Sequence, residues 1–296
     1  MSVQTIDLSG RLAGAPISWG VCEVPGWGYQ LSVERVLREM RELGLTATEF
    51  GPDGFLPDAP ADKAAVLKDA GLHAVGAFVP AVLHEPAHNP APGVQRALDG
   101  LVAAHASTLV LAAATGVEGY DTRPELNESG WEALLANVDH LARLAADAGL
   151  SACLHPHIGT MIETRDEVMR LLDGATIPIC LDTGHLLVGG TDPVQLADEA
   201  PNRVAHVHLK DVDLKIARQV RSGTLAYTAA VAAGLYRPLG GGDVDIGGIV
   251  SSLERAGYRG WYVLEQDTVL AAETPAGAGP LVDVRASLAY LASVRA

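Results

Sequence analysis

What most constrains this chain is an alternation that runs along its whole length. Eight short apolar runs are separated by amphipathic stretches long enough to form helices. Strands joined this way are predicted to lie parallel, because each crossover needs a helix to carry the chain back to the starting edge. The runs are Ala15–Trp19, Thr46–Phe50, His73–Val79, Thr108–Ala112, Leu150–Leu154, Ile177–Leu181, Val204–Leu209 and Trp261–Glu265. Helical patterns fill the gaps, the clearest at Trp131–Ala148, which Gly149 ends, and at Ala61–Ala70, which Gly71 closes. The stretch Val212–Gly234 also reads as helical, Ile249–Ala256 as a further helix, and Leu281–Val294 as a closing one. Eight strand-helix units with no linker-like shift in composition predict an α/β fold, one (β/α)8 barrel. It is expected to be a single domain over residues 1–296, with its core at about 14–268.

Charge and cysteine usage narrow the partners. The 296 residues carry 21 Lys+Arg against 36 Asp+Glu, a formal charge of -15, and no basic patch interrupts it. Phosphate backbones and anionic lipid surfaces are repelled by such a chain, so a small neutral molecule is the expected partner and nucleic acid is disfavoured. Homo-oligomerisation is left open. Cys22, Cys153 and Cys180 are far apart, two of them inside apolar runs, which predicts buried thiols in a reducing cytoplasm and no disulfide framework. The N-terminus lacks the basic and apolar regions of a secretion signal. The longest uncharged stretch, Leu101–Val117, carries His105, Ser107, Thr108 and Thr115. A helix end followed by a buried strand accounts for it better than a membrane span.

Chemistry concentrates where the runs end. Glu49, His155, Asp182, His208 and Glu265 each stand at or just past the C-terminal end of a predicted strand, so all five point towards one mouth of the barrel. Mixed oxygen and imidazole donors suit an open divalent site for Mn, Co, Mg or Zn, whereas a closed structural zinc site would use thiolates. Plainer readings exist for each. Asp182 before Thr183-Gly184 fits a turn, and Glu49 a loop acid. His206 and His208, two apart on a strand, face the same side, so one of them fits a core histidine. The run Gly240-Gly241-Gly242 follows no strand and lacks the Lys-Ser/Thr of a phosphate loop, so it is expected to be a substrate loop or a plain turn. The polar loop Gly116–Ser129 is expected to roof the site.

At these residues a resemblance emerges. Leu181–His185, His206–Asp211, Pro238–Asp245 and Gly260–Glu265 are similar to the signature segments of the xylose-isomerase-like sugar isomerase and epimerase superfamily of TIM barrels. Within it, Ala15–Gly20 and His155–Thr160 most resemble the inosose dehydratase family of inositol catabolism, which removes water from scyllo-inosose. The resemblance implies a divalent metal held by His155, Asp182, His208 and Glu265; oxygen-rich ligation with imidazole leans to Mn or Co over Ca, with Mg or Zn as alternatives. It also implies dehydration of a keto-cyclitol through an enediolate. His155 stands where many members carry a glutamate. It either ligates the metal or leaves three protein ligands with His157 nearby, and it weighs against a two-glutamate acid/base pair.

The reaction needs a general base, for which Glu265 or His157 is placed, and a general acid for the departing hydroxyl, for which His185 or Lys210 is placed. Lys210 could equally hold a substrate oxygen as a fixed charge, and His185 is expected to share in substrate binding. Glu49 and Trp19 are expected to shape the pocket, the indole giving a flat wall to a ring face. The competing activity is aldose-ketose isomerisation or epimerisation at the same site. A DNA-cleaving metalloenzyme is disfavoured by the charge, and a non-catalytic barrel remains as the plain alternative.

Overall fold

The computed structural model describes residues 6–295. Eight parallel strands close into a barrel: β1 (Leu12–Gly14), β2 (Ala47–Glu49), β3 (His73–Val82), β4 (Thr108–Ala114), β5 (Ser151–Leu154), β6 (Ile179–Asp182), β7 (Val204–Leu209) and β10 (Tyr262–Leu264). Going round, the order is β1, β10, β7, β6, β5, β4, β3, β2, so each strand neighbours the next in sequence and β10 shuts the ring against β1. Both faces of such strands are covered, which is why they read as near-continuous apolar runs. Leu109, Val110, Leu111 and Ala112 of β4 are all fully buried. Cys153 and Cys180 pack with Val110 in one such layer, as free thiols.

Two predicted elements fold differently. Ala15–Trp19 is not the first strand: β1 precedes it, and Pro16–Trp19 forms a 3-10 turn. Pro16 supplies no N–H to a ladder and presets the φ of a helical first turn, and Gly20 ends the turn in the left-handed region at φ 80°. The predicted helical stretch from Val212 begins instead as a strand. There β8 (Asp211–Val212) pairs antiparallel with β9 (Tyr236–Arg237), and the helices Leu214–Arg221 and Tyr227–Ala232 lie between them. The next helix, Ile246–Arg255, starts earlier than its apolar pattern implies, because the Asp245 side chain caps it on the Gly248 N–H.

The glycine run turns out to be neither a free substrate loop nor a phosphate cradle. Buried Asp211 accepts hydrogen bonds from the backbone N–H groups of Gly240 at 2.8 Å and Gly242 at 2.9 Å on one oxygen. Its other oxygen takes those of Val212 at 2.9 Å and Val244 at 3.0 Å. The loop thus wraps a carboxylate of the chain itself, and a side chain at Gly242 would collide with it, since a Cβ there falls 2.3 Å from Asp211 Oδ1. Leu101–Val117 is a helix end running into β4, as expected. Among the described residues no helix is long and apolar enough to cross a membrane.

Candidate metal centre and active site

Asp182 closes β6 and at the same time caps the helix Thr183–Gly189. Its Oδ1 accepts the N–H groups of Gly184 at 2.9 Å and His185 at 2.7 Å, which locks the carboxylate and turns Oδ2 towards the barrel mouth. There Oδ2 meets His155 Nε2 at 3.1 Å, Lys210 Nζ at 3.2 Å and His208 Nδ1 at 3.6 Å. His208 is in register with Asp182 across the β6–β7 ladder and with Val263 on β10, so Glu265, just beyond β10, reaches its Nδ1 at 3.0 Å. One donor atom from each of His155, Asp182, His208 and Glu265 lies within 4.8 Å of the other three, all of them buried. The barrel thus gathers to one point four side chains spread over 111 positions of sequence, from residue 155 to residue 265.

The donor set fits a divalent cation. Glu49 at the end of β2 takes His206 Nε2 at 2.8 Å and His208 Nε2 at 3.0 Å on a single oxygen. With Nε2–H donated to the Glu49 carboxylate, Nδ1 is the His208 nitrogen that faces Asp182 and Glu265, and it becomes a ligand once its proton is displaced by a cation. That Nδ1 and the Nδ1 of His155 are buried without a hydrogen bond. Burial opposes charge on every group here, yet His208 and Lys210 hold the Glu265 carboxyl down to about 2, and Lys210, His185 and His155 hold Asp182 well below the usual range. Burial likewise opposes the His208 imidazolium, but Glu265 and Glu49 outweigh it and push its pKa well up. Two carboxylates that stay ionised and draw a proton onto their neighbour make a site whose charge calls for a cation.

Beside this quartet stands a second group of polar side chains. Lys210, 2 % exposed, places Nζ 2.9 Å from Glu265 Oε2, 2.9 Å from Asp267 Oδ1 and 2.8 Å from His185 Nε2. Burial disfavours the ammonium, but Asp182, Asp267 and Glu265 outweigh it and hold its pKa well above the ordinary lysine value. His157 stacks on His185 with ring centroids 3.7 Å apart and donates from Nδ1 to the Ile158 carbonyl at 2.6 Å, so its Nε2 carries the lone pair. Burial, His155 and Lys210 keep it neutral, with a pKa well below the usual histidine range. Asp267 accepts the Tyr227 hydroxyl at 2.7 Å, and burial raises its pKa.

These groups floor a cleft that opens to solvent. Glu49, His155, His157, Lys210, Glu265 and Asp267 line it on the polar side, and Pro16, Val21, Trp27, Phe78 and Tyr120 on the apolar side. Tyr120, from the loop predicted as a roof, lies over His157 with ring centroids 4.4 Å apart and hydrogen bonds to Glu23. Asp121 of the same loop receives the Thr228 N–H at 2.9 Å.

Two expectations do not survive. Trp19 is not on the cleft wall: it is fully buried, and its indole N–H donates to Glu39 at 2.9 Å in the helix Val33–Glu42. Trp27 takes the place foreseen for it. His185, 1 % exposed, sits behind Lys210 and His157 and does not line the cleft, so it steadies those two side chains and is not placed to touch substrate. Glu49 does line the cleft, and it also orients His208. Reasoning from sequence missed Asp267, Tyr227 and Trp27. Asp267 was within reach, since it stands two positions after Glu265, just past the same strand end. Trp27 and Tyr227 lie in loops and helix starts without a strand-end signal.

A closed parallel barrel with a His/Asp/His/Glu donor set at its C-terminal mouth defines a class of metal-site α/β barrels. The chain belongs to the xylose isomerase-like TIM barrel family, whose model matches residues 37–292. It is 31% identical over 274 residues to inosose dehydratase of Geobacillus thermodenitrificans (strain NG80-2), covering 88% of this chain and 91% of that one. It is 33% identical over 270 residues to the rhizopine catabolism protein MocC of Rhizobium meliloti, covering 88% of this chain and 82% of that one. Among solved structures, the IOLI protein with a binding zinc atom matches with a TM-score of 0.70 at 12% identity, over 96% of this chain and 98% of that one. The 3-keto-D-glucoside 4-epimerase YcjR from E. coli matches with a TM-score of 0.66 at 19% identity, over 95% and 98%. At those identities the two structures speak for the fold alone.

Proposed function

We propose that the protein is a metal-dependent dehydratase of a keto-cyclitol such as scyllo-inosose, an inosose dehydratase-type lyase acting in the cytoplasm within inositol catabolism. The observation that carries this reading is the convergence of His155, Asp182, His208 and Glu265 under a cleft walled by aromatic side chains, in a chain similar to inosose dehydratase over most of its length. When bound there, a divalent ion, Mn or Co by preference, supplies Lewis-acid polarisation of the substrate ketone. His157 presents a neutral, unprotonated Nε2 to the cleft and is the base for the carbon-bound proton. Glu265 is held ionised by His208 and Lys210, which suits a ligand better than a proton carrier. Lys210 sets a fixed positive charge at the cleft floor where the departing hydroxyl gathers negative charge, and His185 fixes its position. Asp267 pairs with that ammonium at 2.9 Å, and Lys210 is the proton donor to the departing hydroxyl. The aromatic wall of Trp27, Phe78 and Tyr120 takes the face of the carbon ring, and the four acids on the cleft, Glu23, Glu49, Glu265 and Asp267, favour a neutral substrate over a phosphorylated one.

Sugar isomerisation or epimerisation at the same centre is the competing reading, favoured by the ion-binding quartet being indifferent to whether the proton returns to carbon. Incubating metal-loaded protein with scyllo-inosose separates the two. Dehydration yields a dione with a new ultraviolet absorbance, whereas incorporation of solvent deuterium into sugars with no dione would overturn the dehydratase reading.

A further inference from the structure

Two donor sets stand side by side at the mouth, and one ammonium touches both. The first is the quartet already described. The second is His157, His185 and Asp267, whose donor atoms also lie within 4.8 Å of one another and are buried. It has the composition of a second divalent site: two imidazoles and a carboxylate, from the loop after β5, the helix after β6 and the segment after β10. His185 Nε2 lies 3.7 Å from Asp267 Oδ2 and His157 is stacked on His185, so little movement would be needed to close them on an ion.

Lys210 Nζ stands between the sets. It reaches Asp182 Oδ2 at 3.2 Å and Glu265 Oε2 at 2.9 Å in the first, and His185 Nε2 at 2.8 Å and Asp267 Oδ1 at 2.9 Å in the second. Its backbone is clamped on both sides by one hydroxyl, since the Lys210 N–H donates to Thr183 Oγ1 at 2.8 Å and that hydroxyl donates to the Lys210 carbonyl at 2.7 Å. Room for its stem is built in as well, because a Cβ on Gly184 would fall 2.6 Å from Lys210 Cβ. The charges divide accordingly. Asp182 and Glu265 match one divalent ion, and Asp267 is left to match a single positive charge. An ammonium already in contact with His185 and Asp267 denies a second divalent ion its ligands and repels it at close range.

We propose that Lys210 is a tethered second cation: its ammonium occupies the His185 and Asp267 donors of the second set and so holds the centre to one divalent ion per chain. The proposal rests on the reading that the first quartet binds an ion. In place of an exchangeable second metal, the chain presents a covalently fixed charge to the cleft.

Metal stoichiometry tests this without recourse to turnover. Stripped protein is loaded with excess Mn or Zn, desalted and analysed for metal per chain, with circular dichroism to verify folding. Wild type is expected to hold one ion and Lys210→Met two. Lys210→Arg, which keeps the charge, is expected to hold one, and Lys210→Met/Asp267→Asn is expected to return to one. Two ions on wild type, or one on a folded Lys210→Met, overturns the proposal while leaving the first site intact. No ion on wild type overturns the metal reading itself and this proposal with it. Should Lys210→Met fail to fold, wild type and Lys210→Arg decide alone, with a second ion on either counting against the tethered cation.

Discussion

Glu49 takes two imidazoles on one carboxylate oxygen, and through His208 it determines which ring nitrogen faces the ion. Burial works against its ionisation, but His208 and His206 outweigh this and hold the carboxyl well below its usual range, so it remains an acceptor at any ordinary pH. A carboxylate behind a ligating histidine is worth about 10–100-fold in metal affinity. Glu49→Gln is therefore expected to weaken Mn binding by roughly that factor, as read by calorimetric titration. Unchanged affinity in a folded variant would show that His208 needs no such partner. At this scale the sequence was informative where a strand end announced itself. Asp182, His208 and Glu265 stand out because apolar runs break into charge there, and their side chains do meet. Trp19 misled because a bulky aromatic next to a strand end reads equally as a wall or as core. Only the position of Glu39, 20 residues on, shows where its indole goes. The roof residue Tyr120 lay in a loop whose length was legible and whose fold was not.

Among the elements, the loops over the mouth depend on one close approach. Gly159, in the loop after β5, adopts φ +75°, and a Cβ there would fall 2.3 Å from the Tyr120 carbonyl oxygen and 2.5 Å from its Cα. Gly159→Ala must strain its own backbone and push the Tyr120 loop off His157. Its expected effect is a rise of about tenfold or more in KM, the order of a lost pocket contact, with Mn affinity changed much less because the quartet is untouched. Steady-state kinetics beside metal titration checks this, and an equal loss in both would place the damage at the metal site. The same scale explains the two misread elements. A periodic apolar pattern cannot tell a strand from a 3-10 turn across four residues, and Pro16 tips the balance. The β8–β9 pair is two residues to a strand and held by partners far apart in sequence, Asp211 with Arg237 and Val212 with Tyr236, so no local signal announces it. The glycine run was legible as special. That it wraps Asp211 is a matter of which carboxylate the fold brings beneath it.

For the whole molecule, the cluster of buried carboxylates ties stability to pH. Glu265, with an ordinary value of 4.5, is brought down to about 2 in the metal-free protein, burial opposing and His208 and Lys210 prevailing, and Asp182 is held low in the same way. A carboxyl depressed by folding contributes stability that is complete above its unfolded value and is lost as pH falls through the folded one. Denaturant unfolding of stripped protein is thus expected to weaken between about pH 5 and pH 2–3, and Glu265→Gln to flatten that slope while lowering stability at pH 7. Matching slopes for variant and wild type would remove Glu265 from the account.

By itself the sequence determined the barrel. Hydrophobic periodicity and strand-helix alternation are local properties, and eight parallel units have few ways to bury both faces of a sheet. It also determined the candidate donors, since the C-terminal ends of parallel strands share one mouth wherever they lie in the chain. What only the tertiary structure decided was the assignment of partners: that Glu49 serves His208, that Asp267 joins the floor, that Trp27 and not Trp19 forms the wall, and that Lys210 bridges two donor sets. Those relations depend on strand register and loop approach at the scale of a hydrogen bond, and such distances arise from packing that no local pattern encodes.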